Sequence, residues 1–147
     1  MATLLVVDDE ERFLRILSMV LTEENHEVLT AQDGVRALEI FEQASPNVVL
    51  TDLKMPGMSG EELLKQIKGR SPNTPVIILT AYGTVESAVA AMRQGAFHYI
   101  LKPCNMDELK LVVRNALELQ RLAQVNQYLR SELEAGKGFE DMVGRSK

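Results

Sequence analysis

The sequence predicts an α/β fold, an open, doubly wound five-stranded parallel sheet with an extended C-terminal helix. Short apolar runs alternate with amphipathic helical patterns five times over, and a polar residue follows each run. The runs are Leu4-Leu5-Val6-Val7 before Asp8, Val28-Leu29 before Thr30, Val48-Val49-Leu50 before Thr51-Asp52, Val76-Ile77-Ile78-Leu79 before Thr80, and Phe97-His98-Tyr99-Ile100-Leu101 before Lys102. Most are too short for helices and too continuously apolar for a strand wetted on one side, so they read as strands covered on both faces. Right-handed crossovers then connect them, and the common order for such units is 2-1-3-4-5, the flavodoxin-like arrangement.

Between the runs, Phe13, Ile16, Leu17, Val20 and Leu21 make one helical stripe, and Val35, Leu38 and Phe41 a shorter second. A third helix starts near Ser59-Gly60 with Leu63, Leu64 and Ile67 inward. A fourth starts near Thr84 with Val85, Ala88, Val89 and Met92 inward, and Asn105 caps a fifth. All five prolines, Pro46, Pro56, Pro72, Pro75 and Pro103, fall in connections, where a missing N–H does no harm.

The fifth helix outruns the sheet. Val112, Leu119, Asn126 and Leu133 recur every seven residues with Asn115, Leu122 and Leu129 between them, an a/d seam with a polar residue at one inner a position. A helix folded back on its own sheet accounts for Leu109 to Leu117 but has nothing to bury beyond Leu122. The expected organisation is therefore a domain over 1–119, a coiled-coil linker over 120–135 that pairs two copies of the chain, and a hinge at Gly136-Lys137-Gly138 opening 136–147, the start of a following domain.

Composition narrows the function. The chain is 46% hydrophobic and 25% charged, so it builds a core, and at a net charge of −5 it carries no basic footprint for a nucleic acid or an anionic membrane. One cysteine, Cys104, forms no internal disulfide, and two separated histidines, His26 and His98, lack zinc-ligand spacing. With neither a spanning segment nor a signal peptide expected, the chemistry reads as cytoplasmic.

In the 2-1-3-4-5 order the first and third strands are neighbours, so Asp8, Asp9 and Asp52 converge in one crevice. Clustered carboxylates repel, and such a group persists by taking up a proton or a cation; an oxygen-only set suits Mg²⁺. Thr80 and Lys102 end the next two strands on the same rim. Together they are the parts for an acyl phosphate on aspartate, with Asp52, on the central strand, as the nucleophile. The acidic run Asp8-Asp9-Glu10-Glu11 would repel a flavin phosphate, and Lys54 stands where a haloacid-dehalogenase phosphatase needs its second acid. Tyr99, from the residues alone, is equally a strand aromatic or a working side chain. His98 reads as a strand residue and Cys104 as packing.

Val6-Val7-Asp8-Asp9-Glu10, Thr51-Asp52-Leu53-Lys54-Met55-Pro56-Gly57-Met58-Ser59-Gly60, Leu79-Thr80-Ala81 and Tyr99-Ile100-Leu101-Lys102-Pro103 resemble, in order and over about Thr3 to Leu119, the receiver domains of two-component response regulators. The resemblance implies a phosphoacceptor switch rather than a free-standing enzyme. It makes Asp52 the acceptor from a sensor histidine kinase, with Mg²⁺ held by Asp8, Asp9, Asp52 and the Lys54 carbonyl. It also makes Thr80 and Tyr99 a switch pair, Lys102 the phosphate-binding lysine and Lys102–Pro103 a cis bond. None of the family's key positions is replaced. Phe139-Glu140-Asp141-Met142-Val143-Gly144-Arg145-Ser146 resembles the entry of the ATPase domain in NtrC-type activators of sigma-54-dependent transcription, which implies a receiver and linker from a longer activator.

Overall fold

The computed structural model describes residues 2–142. Its strands are β1 (Thr3–Val7), β2 (Glu27–Ala31), β3 (Val48–Thr51), β4 (Val76–Thr80) and β5 (His98–Leu101), and its helices α1 (Glu11–Thr22), α2 (Gly34–Ala44), α3 (Gly60–Arg70), α4 (Val85–Arg93) and α5 (Met106–Met142). The sheet is parallel, in the order β2-β1-β3-β4-β5. Every residue of β3 and β4 is buried, as continuous apolar runs require of strands covered on both faces.

Alternate strand residues feed two cores. Leu4, Val6, Val48, Leu50, Ile77, Leu79 and Ile100 pack under α1 and α5, against Leu14, Leu17, Leu21, Leu109 and Val113. Leu5, Val7, Val49, Val76 and Ile78 face α2, α3 and α4, against Phe41, Leu63, Leu64, Ile67 and Ala91. Side-chain caps start α3 and α5 at the residues the sequence points to, and Asp33, which the apolar stripe does not mark, caps α2. Asp33 accepts from Arg36 N at 2.8 Å, Ser59 from Glu62 N at 3.2 Å, and Asn105 from Asp107 N at 2.7 Å. Among the described residues no helix is long and apolar enough to cross a membrane.

Some expected inward positions face outward. On α4, Val85 is 81% exposed and Val89 and Met92 are exposed with it, while Ala91 is buried. The helix rests on its small residues, which set it close to the sheet and leave the bulky ones beside the contact. Ile16 on α1 and Val35 on α2 are exposed as well, and Leu14 and Ala37 take the inward places.

Two corrections concern α5. Val112, expected in the dimer seam, is buried in the protomer's own core and is not available to a second copy. The helix also continues through the hinge expected at Gly136-Lys137-Gly138 and runs to Met142. A glycine costs a helix interior about 1 kcal/mol, which is a penalty and not a stop, and no proline follows to enforce one. The expected domain entry at Phe139–Ser146 falls partly on 143–147, outside the described residues.

The body meets the outgoing helix at a polar joint. Gln120 is buried, and its Oε1 accepts from Asn47 Nδ2 at 3.3 Å. Asn47 in turn is locked to β1, its Oδ1 accepting from Thr3 N at 2.8 Å and its own N–H donating to Thr3 O at 2.7 Å. Beyond Gln120, Leu122, Leu129 and Leu133 are half-exposed or more.

Candidate functional site: an acidic crevice at the carboxyl ends of the strands

Strand register builds the crevice. Val7 pairs with Thr51, so Asp8 and Asp52, one residue on, leave adjacent strands side by side, and Asp52 N donates to Val7 O at 3.0 Å. Thr80 pairs with Leu101, and Lys102 N donates to Thr80 O at 2.8 Å, which brings the lysine to the same rim. Asp8, Asp9 and Asp52 each offer a carboxylate oxygen, all within 4.8 Å of one another. Asp8 and Asp52 are 2% and 3% exposed, and Asp9 is open to solvent.

Lys102 holds the two buried acids together. Its Nζ lies 2.5 Å from Asp8 Oδ2 and 3.4 Å from Asp52 Oδ2, and 4.1 Å above the centroid of the Phe13 ring. Burial pushes the Asp8 carboxyl above its ordinary range, and the hydrogen bonds from Lys102 and from Glu10 N offset only part of that. For Lys102, burial works against the charge, but the Asp8 hydrogen bond and the two carboxylates outweigh it and hold the amine above its ordinary value.

The two oxygens of Asp52 are not equivalent. Oδ1 accepts from Leu53 N at 2.6 Å and from Lys54 N at 3.4 Å, while Oδ2 has the lysine alone. The backbone of Asp52 is pressed from behind by the start of α3: Gly60 N donates to Leu53 O at 2.8 Å, and a Cβ at Gly60 would overlap Asp52 O. The glycine at this position supplies close approach. Thr80 is fully buried, with Oγ1 accepting from Tyr82 N at 3.1 Å. Tyr99 is half-buried over the α4 side of the core, and the Lys102–Pro103 peptide is cis.

Residues 4–114 match the model of the response regulator receiver domain. The chain is a member of the response regulator receiver family. It is 42% identical over 130 residues to the regulatory protein AtoC of Escherichia coli K12, an alignment covering 88% of this chain and 28% of that protein. It is 42% identical over 112 residues to the DNA-binding transcriptional regulator NtrC of the same organism, covering 76% and 24%. The chain thus spans roughly a quarter of the length of these curated relatives. Among solved structures, a response regulator receiver domain protein from Clostridium thermocellum superposes with a TM-score of 0.80 at 39% identity, covering 84% of this chain and 99% of that one. NtrX from Brucella abortus in complex with ADP superposes at 0.82 with 37% identity, covering 87% and 30%. This receiver domain is a regulatory domain, similar over most of its length to regulators of the NtrC kind.

As in the sequence reading, Asp8, Asp9, Asp52, Thr80 and Lys102 stand on one rim of the receiver. Phe13 joins them as well, although nothing in its helical stripe marks one ring as lying under a lysine from the other end of the chain.

Proposed function

We propose that this receiver is a Mg²⁺-dependent phosphoacceptor switch in which Asp52 takes a phosphoryl group from a sensor histidine kinase. The observation that carries the reading is the Asp52 carboxylate itself, buried, oriented through Oδ1 and left with Oδ2 toward a lysine. Oδ2 forms the new O–P bond as the N–P bond of a phosphohistidine breaks, and the electron pair of that bond goes to the imidazole nitrogen. Lys102, whose charge the neighbouring carboxylates favour, moves from neutralising two carboxylates to neutralising the phosphoryl oxygens.

The donor set fits a hard cation: Asp8, Asp9 and Asp52 give oxygen ligands only, and the family resemblance adds the Lys54 carbonyl to them. When bound, Mg²⁺ supplies charge neutralisation at the transferring group. Thr80 then turns its hydroxyl to the new phosphate, Tyr99 responds to its movement, and the α4–β5–α5 face reports the change.

The seam of Leu119, Leu122, Asn126, Leu129 and Leu133 joins two copies of the chain and passes the signal to a domain that follows in a longer sigma-54-dependent transcription activator. The buried Gln120, bonded to Asn47, supports ending the receiver body there. The setting is cytoplasmic, and this segment contacts neither nucleic acid nor membrane.

Intact mass after incubation with Mg²⁺ and acetyl phosphate tests the chemistry. The wild type should gain one phosphoryl increment and Asp52→Asn none. A variant that still gained it would remove Asp52 from the role.

A further inference from the structure

The Tyr99 hydroxyl lies 2.6 Å from Ser87 Oγ, across the gap between β5 and the first turn of α4. Ser87 is the third residue of that helix and closes a capping box with Thr84. Its N–H donates to Thr84 Oγ1 at 2.9 Å, its Oγ accepts from Thr84 N at 3.0 Å, and its hydroxyl is within reach of Thr84 O at 3.0 Å. A hydroxyl has one hydrogen and two lone pairs. Ser87 Oγ thus has three partners in reach, Thr84 N, Thr84 O and the Tyr99 hydroxyl, and either hydroxyl can donate in the Ser87–Tyr99 bond.

A second feature makes room for this bond. A Cβ on Gly83 would stand 2.9 Å from Tyr99 Oη and overlap the Leu101 side chain, and the Gly83 φ is not in the left-handed region. Glycine at 83 is therefore not demanded by a turn. It clears the place where the phenol reaches the cap.

We propose that Ser87 is a positioning residue of the switch, a latch whose hydroxyl holds Tyr99 in the arrangement that accompanies unmodified Asp52 and ties that arrangement to the folded first turn of α4. The proposal rests on the reading of Tyr99 as a switch residue. Opening the latch gives up one hydrogen bond and leaves the capping box standing. A net hydrogen bond of this kind corresponds to roughly a fivefold change in an equilibrium.

The test uses the full chain with ¹³C at the tyrosine ring Cζ, whose NMR shift reports hydrogen bonding of the phenol. The three tyrosine signals are assigned with Tyr82→Phe and Tyr128→Phe. In wild type the Tyr99 signal should move when acetyl phosphate and Mg²⁺ are added. In unphosphorylated Ser87→Ala, the ratio of the second Tyr99 environment to the first should rise about fivefold, and Ser87→Thr, which keeps the hydroxyl, should restore it to within about twofold. Thr84→Ala breaks the capping box but spares Ser87 Oγ, so it should lower thermal stability without moving the Tyr99 ratio. Gly83→Ala should move the ratio in the same direction as Ser87→Ala. If Ser87→Ala leaves the ratio at its wild-type value, or Thr84→Ala moves it as far, the latch is refuted while Tyr99 keeps its response to phosphorylation. A wild-type Tyr99 signal indifferent to phosphorylation overturns the switch reading and the latch with it.

Discussion

Asp8 buries a carboxylate that shares one ammonium group with Asp52. Because burial holds its pKa above the ordinary 3.8, the folded protein keeps a proton on Asp8 at pH values where the unfolded chain has already lost it. The sign follows: as pH rises from the ordinary carboxylate range through the raised value, this group's contribution to stability falls. Asp8→Asn removes the titration and should flatten that part of a stability profile followed by circular dichroism. A proton on Asp8 also competes with a cation. The rise in melting temperature caused by millimolar Mg²⁺ should therefore shrink as pH is lowered through the same window, and a Mg²⁺ effect that grew on acidification would exclude Asp8 as a ligand. Gly60 offers a second test at this scale. Gly60→Ala must push α3 off the Asp52 backbone, so it should slow phosphorylation by acetyl phosphate at least tenfold while Asp52 itself is untouched, since small displacements at a reacting group are costly.

The elements differ in how much of them can be read from a linear pattern. Strands such as Val76–Thr80 announce themselves, because an apolar run bounded by turn residues has few other homes in an α/β chain. The inward face of α4 does not, because periodicity marks an apolar stripe and says nothing of how close the neighbouring layer comes. Ala91 could pack tightly and so displaced Val85, Val89 and Met92 from the contact. In the crevice, Asp8, Asp52, Thr80 and Lys102 were legible as residues that end adjacent strands. Ser87 with Tyr99, and Asn47 with Gln120, were not, since a polar pair formed across 12 or 73 residues has no period. Gln120 is testable as the joint between body and linker. Gln120→Ala leaves the Asn47 amide without its buried partner and should cost about 1 kcal/mol, measurable as a drop in denaturant midpoint with unchanged slope. No such drop would mean that water replaces Gln120 freely.

For the molecule as a whole, the prediction concerns assembly. A chain ending after Gln120 keeps both cores, the crevice and the Asn47 joint, and it loses Leu122, Asn126, Leu129 and Leu133 from the seam. By light scattering it should be monomeric where the full chain is dimeric, and it should still take one phosphoryl group. A short chain that stayed a tight dimer would move the interface to the receiver body, where the exposed Val85, Val89, Met92 and Leu101 offer an alternative surface.

The joint at Gln120 also sets a mechanical gain. Leu133 stands thirteen residues further along α5, about 20 Å at the usual helical rise. A helix clamped at one end turns a small angle there into a larger distance at its far end. A tilt of about 10° at the clamp would carry Leu133 about 3 Å, more than the ~1–2 Å by which helices at subunit interfaces shift in switching transitions. Displacements below 1 Å among the side chains of the crevice, too small to alter any surface by themselves, can therefore arrive at the far end of this lever as a choice between two ways of pairing.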